Sequence, residues 1–191
     1  MTLIYPRFLL TLIIGLLLPA SQLQAAGSAE RDIQFTAIFY GGSCDITAPA
    51  TVTYNQGVVP QDTIPGENQR SDLLLNLSNC QGYFMQPSIT VAGETQLING
   101  KTLFVNSGST TTGYGILLTT SGNTAFSANS NLASNKKLDN RLWPTSGGSS
   151  NVESLNGNLL LNAILSCGSC PSASLRGGVL TSNLTFTFVY N

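Results

Sequence analysis

The chain is expected to fold as an all-β domain, a sandwich of short antiparallel strands. Three observations lead there. Thr, Ser, Asn and Gly are abundant while strong helix formers are sparse, which suits strands joined by many turns. Turn signals recur roughly every ten residues between short apolar runs, the spacing of a sandwich. No stretch longer than a turn or two carries apolar residues at helical spacing. A chain of 191 residues is one domain, or at most two small ones, with room for a real core.

The beginning reads as a targeting segment. Arg7 precedes an apolar run at 8–18, interrupted only by Thr11 and Gly15, and Pro19 and small residues follow up to Ala25-Ala26-Gly27. This is the layout of a secretory signal peptide over residues 1–26, cleaved after Ala25 or Ala26. The run falls well short of the roughly 18–20 residues needed to span a membrane. The mature chain is therefore expected in an oxidising space, soluble there. Residues 27–32 are short and polar, and residues 33–40 form a strand with Ile33, Phe35, Ala37 and Phe39 on one face. Gly41-Gly42 ends it just before Cys44.

Residues 46–54 read as one or two short strands divided by Pro49, and 57–69, with Pro60, Pro65 and Gly66, as a loop or irregular edge. Leu73, Leu75 and Leu77 alternate with Leu74, Asn76 and Ser78 and lead into Asn79-Cys80. A short strand follows at 88–92, then a hairpin in which Asn99-Gly100 joins 96–98 to 102–105. Residues 114–120 are a strand, closed by a turn at 121–123. Residues 127–151, with Trp143, read as a long connection holding at most one short strand, and 159–165 as a strongly apolar strand. The last fourteen residues, 178–191, make a terminal strand with Leu184, Phe186, Phe188 and Tyr190 on one face and Thr185 and Thr187 on the other. It stays apolar to Tyr190, and chain ends fray unless tied down. This strand therefore needs a partner, in its own domain or on another protein.

Four cysteines, Cys44, Cys80, Cys167 and Cys170, favour disulfides in an oxidising compartment. Three pairings are open; the preferred one is Cys44–Cys80 with Cys167–Cys170. The Cys-Gly-Ser-Cys run is read as a structural disulfide rather than a redox motif, because it sits between strand-like runs instead of opening a helix. A metal site would want further ligands, and the chain has no histidine. Catalytic triads built on histidine are excluded on the same ground. Its nine carboxylates are scattered and no phosphate-binding glycine loop occurs. A net charge of −1 without a basic patch argues against nucleic acid. Trp143 with Tyr114, Tyr83 or Arg141 could form a sugar platform, though a lone Trp is more often core or surface filler. The expectation is a binding or structural module with no catalytic residue, no metal and no cofactor.

The whole mature chain resembles bacterial fimbrial subunits assembled by the chaperone–usher pathway, of the type 1 kind. The likeness rests on the signal peptide followed by the alternating segment 33–39, on Cys44-Asp-Ile-Thr-Ala-Pro with Asn79-Cys80, on Gly113-Tyr-Gly-Ile-Leu-Leu118, and on Gly178 with the penultimate Tyr190. The resemblance implies an incomplete immunoglobulin-like β-sandwich completed by donor-strand complementation. Residues 27–40 would be the donor-strand extension and 41–191 the pilin domain. Ile33, Phe35, Ala37 and Phe39 would be donated to a neighbour. Gly178, Leu184, Phe186, Phe188, Tyr190 and Asn191 would face the groove and the chaperone. The implied partners are a periplasmic chaperone, an outer-membrane usher, neighbouring subunits and a host receptor reached through the assembled fimbria. The implied location is the cell-surface fimbrium, after passage through the periplasm. Two departures stand out: the family often has Gly where this chain has Ala37, and Cys167–Cys170 is not part of its common frame. At about 165 mature residues one pilin domain fits. The reading is a minor or adaptor subunit; the alternatives are a single-domain adhesin or a terminating subunit.

Overall fold

The computed structural model describes residues 42–82, 86–141, 152–170 and 175–190. The alternating leucines of residues 73–77 lie in a twelve-residue strand, β2, and their alternation is what makes it a strand with one wet face. Leu73, Leu75 and Leu77 are buried while Leu74 between them is 45% exposed. Among the described residues the strands are β1 (Ser43–Thr47), β2 (Arg70–Gln81), β3 (Pro87–Ala92), β4 (Thr95–Ile98), β5 (Lys101–Phe104), β6 (Gly115–Thr119), β7 (Lys137–Asp139), β8 (Gly157–Ser166) and β9 (Thr185–Tyr190). They form a six-stranded sheet, ordered β1-β2-β8-β6-β5-β4, and a three-stranded sheet, β7-β3-β9. All the pairings are antiparallel. The order β1-β2-β8-β6 opposite β3-β9 matches strands A, B, E and D opposite C and F of an immunoglobulin sandwich. Among the described residues no strand takes the seventh place beside β9. The fold is thus an incomplete immunoglobulin-like sandwich.

The core lies between the two sheets. Leu75 and Leu77 of β2, Leu159 and Leu161 of β8 and Leu118 of β6 face Ile89 and Val91 of β3. Phe186 and Phe188 stand opposite Val91 and Ile89 in the β3–β9 ladder. A second, smaller cluster, Ile98, Leu103, Val105, Leu117 and Ile164, is covered in part by Leu180.

Several local expectations are refined. The strand expected over 46–54 is β1, which starts at Ser43 and stops before Pro49; Val52 and Tyr54 pack on the core without joining a ladder. The terminal strand begins at Thr185 rather than residue 178. The residues before it run beside the loop at 106–112, which takes up their backbone groups. Asn106 N donates to Thr181 O at 2.9 Å and Thr110 N to Val179 O at 2.9 Å. The connection at 127–151 holds β7 and also a one-turn helix, α1 (Leu132–Asn135), capped by the Asn131 side chain, whose Oδ1 accepts from Ala133 N at 3.0 Å. The Asn99-Gly100 turn forms as expected, with φ of +46° and +87°.

Both preferred disulfides are present, Cys44–Cys80 and Cys167–Cys170. The second sits in a turn pressed onto the β4–β5 hairpin. Asn99 Nδ2 donates to Cys167 O at 2.8 Å, and Ser169 N donates to Asn99 O at 3.0 Å. Gly168 has φ +65°, and a side chain there would run into the backbone of Ile98 and Asn99. Glu67 ties the same region together, accepting at one oxygen from Lys101 Nζ and Ser166 Oγ, each at 2.6 Å. Partial burial pushes the Glu67 carboxyl up. The two hydrogen bonds, with the charges of Lys101 and Arg70, outweigh this and hold it below its ordinary value.

Two outcomes are expected. Leu161→Ala, at a fully buried position, lowers unfolding stability by about 2–5 kcal/mol in urea titration, whereas Leu160→Ala next to it, 40% exposed, costs less than about 1 kcal/mol. Because the folded carboxyl of Glu67 titrates below the ordinary 4.5, its contribution is present above that pH and is lost as pH falls through the lower folded value. Glu67→Gln therefore flattens the stability–pH curve in this acid window, which unfolding titrations at stepped pH measure.

Candidate functional site

The two strands at the sandwich's open side are both sheet edges. β1 ends the six-stranded sheet and β9 ends the three-stranded one. Each has one laddered side, β1 with β2 and β9 with β3. Among the described residues no strand pairs with the other side of either. Between them runs a groove of about 480 Å³. One wall is residues 42–46, the other Phe186, Thr187, Phe188 and Tyr190.

The walls follow from local sequence. In β9 the alternation turns Phe186 and Phe188 inward, yet both stay only half-buried, and Tyr190 is 44% exposed at one end. In β1, Cys44 and Ile46 alternate with Ser43 and Asp45 and are the half-buried pair that packs on the core. The Cys44–Cys80 disulfide bonds this wall to β2. Asp45 is the one charged residue in the lining, and its Oδ2 accepts a hydrogen bond from Asn79 Nδ2 at 2.7 Å. The groove's lining is mixed, with Ile46, Phe186 and Phe188 beside Ser43, Asp45 and Thr187, and strand backbone runs along both rims. Unpaired edge backbone of this kind can pair with an added strand.

Of the residues singled out in the sequence, Phe186, Phe188 and Tyr190 line this groove. Leu184 instead packs against the core beside Gly93, where an added Cβ would meet its Cδ2 at 2.6 Å. Gly178 lies against Thr110, with Thr110 Oγ1 2.7 Å from where a Cβ would stand. Asn191 and the segment holding Ile33, Phe35, Ala37 and Phe39 lie outside the described residues, as do Trp143 and Tyr83. Sequence reasoning missed the β1 wall. Its signal was the alternation of Cys44 and Ile46, five residues long and easily overlooked beside a cysteine.

A larger cleft, about 910 Å³, lies over Leu117, Thr119, Asn162 and Ile164, with the Glu67–Lys101 pair in its lining. It runs over the interior of the paired six-stranded sheet and exposes no strand edge.

No family model and no curated protein matches the chain. Among solved structures the chain is similar to the crystal structure of the P pilus rod subunit PapA. The likeness has a TM-score of 0.41 and 16% identity over 84% of this chain and 100% of that one.

The disulfide wall leads to a graded prediction. Serine at both Cys44 and Cys80 removes a cross-link spanning 36 residues, with an expected loss of about 4 kcal/mol in the chain-entropy model. The same change at Cys167 and Cys170, only three apart, costs about 2 kcal/mol or less. Denaturant unfolding of the two double variants against the parent gives the comparison.

Proposed function

We propose that this chain is a structural subunit of a bacterial fimbria, polymerised by donor-strand exchange and supporting cell adhesion. One observation carries the reading: a groove bounded by two sheet edges, β1 and β9, in a sandwich whose described strands fill six of the seven places of an immunoglobulin fold and leave the place beside β9 empty. An exposed pair of edges is a template for a foreign strand. The alternating segment with Ile33, Phe35, Ala37 and Phe39 has the pattern of such a strand. In this reading residues 1–26 are removed and 27–40 leave one subunit to fill the groove of the next.

Each large side chain buried there contributes roughly 1.5–3 kcal/mol, and backbone hydrogen bonds add to it. Before assembly a periplasmic chaperone fills the groove. At an outer-membrane usher the neighbour's segment replaces it. The role is structural and not enzymatic, that of a minor or adaptor subunit. The fimbria sits on the cell surface.

The test uses the full exported chain carrying Phe35→Arg, which keeps its groove but cannot donate. A labelled peptide of residues 30–41 is titrated into it and followed by fluorescence anisotropy. Saturable binding is expected, together with at least tenfold weaker binding of the same peptide carrying Phe35→Arg. That factor is the loss of about 1.5–3 kcal/mol of burial. Equal binding of the two peptides overturns the reading.

A further inference from the structure

The β1 wall owes its place to an irregularity in β2. Between the pairs Ser43↔Gln81 and Asp45↔Ser78 the register shifts. One residue of β1, Cys44, faces two of β2, Asn79 and Cys80. This is a β-bulge, a device that bends a strand and re-aims side chains. Asn79 sits in it with φ +52°, a conformation that Asn tolerates better than almost any residue but Gly. Its Nδ2 reaches across to Asp45 Oδ2 at 2.7 Å. The amide of Cys80 is accepted by Asn156 Oδ1 at 3.1 Å. The disulfide leaves from the same place.

We infer that Asn79 is the positioning residue of the groove: its left-handed backbone and its hydrogen bond to Asp45 set where the β1 wall stands, and so how tightly an inserted strand is held. This rests on the donor-strand reading above. Asn79 is not among the groove's lining residues, whereas Cys44, Asp45 and Ile46 are. Its effect therefore passes through β1. The β1–β2 ladder fixes the register on either side of the bulge, and the disulfide ties Cys44 to Cys80 within it. The Asn79–Asp45 bond adds a side-chain tie across the bulge, where the ladder is interrupted, and so sets the angle at which β1 leaves it.

The experiment uses the Phe35→Arg full chain as parent and the unsubstituted 30–41 peptide. Asn79→Ala removes both the side-chain bond and the tolerance of positive φ, and the dissociation constant is expected to rise roughly tenfold. Asn79→Gly keeps the backbone and loses only the bond, for roughly a threefold rise. The swap Asp45→Asn with Asn79→Asp reverses donor and acceptor and is expected to bring binding back to within about twofold of the parent. Rescue by the swap ties the effect to the Asn79–Asp45 pair rather than to either side chain alone. If Asn79→Ala fails to fold, the glycine variant and the swap decide the matter. Glycine binding as tightly as the parent, or a swap no better than the glycine variant, overturns the inference. A parent that does not bind the peptide sinks the donor-strand reading and this inference together; a parent that binds while the variants match it sinks only this one.

Discussion

Two apolar surfaces have to be kept from water together: the leucine face of β2 and β8, and the phenylalanine face of β9. The sheets exist because these faces meet. Leu75, Leu159 and Leu161 are fully buried between them, yet Phe186 and Phe188, from the same core, are only half covered. Burial removes aromatic surface from water at roughly 25 cal/mol per Å², so incomplete cover leaves free energy unrealised. Part of that deficit falls where β1 and β9 both present an edge, at Cys44, Ile46, Phe186 and Phe188, while the inward leucines of β2 and β8 are covered. Among the described residues the sandwich is thus firmly covered at its centre and less so along the line between β1 and β9.

The low charge of the chain has a structural counterpart. Backbone groups that turns and bulges leave unpaired must still find partners, and asparagine side chains supply many of them here. Asn123 Oδ1 accepts from the amides of Ala125 and Phe126, both at 2.8 Å. Asn129 Oδ1 accepts from Asn131 N at 2.9 Å, and Asn131 Nδ2 donates to Thr102 O at 3.0 Å. Asn183 N finds Asn106 Oδ1 at 3.0 Å. These bonds hold loops in shape where ion pairs are scarce; only Lys101–Glu67 and Lys137–Asp139 are seen among the described residues. An amide side chain serves as donor and acceptor at once, which a charged group cannot do.

Much of this architecture was legible in the sequence where one face of a strand is wet. The period of two in Leu73-Leu75-Leu77, in residues 88–92 and in the phenylalanines of β9 reports burial directly. The Asn99-Gly100 turn reports its own geometry. What stayed hidden was set by tertiary closure. β1 is too short to declare a period, and its place comes from a disulfide and a bulge in a partner 36 residues away. β9 starts seven residues later than the pattern from residue 178 suggests, because residues 178–184 look like strand but pair with the loop at 106–112. The helix α1, four residues long, offers no full period to detect. One wall of the groove was thus readable from Phe186, Phe188 and Tyr190, and the other was not.

The cysteine arrangement has a consequence for biogenesis. Each cysteine is joined to the next one along the chain, Cys44 to Cys80 and Cys167 to Cys170. A chain oxidised as it emerges, N-terminus first, meets only one candidate mate at each step. Oxidation in order of appearance would reach the native cross-links with no shuffling of mispaired thiols.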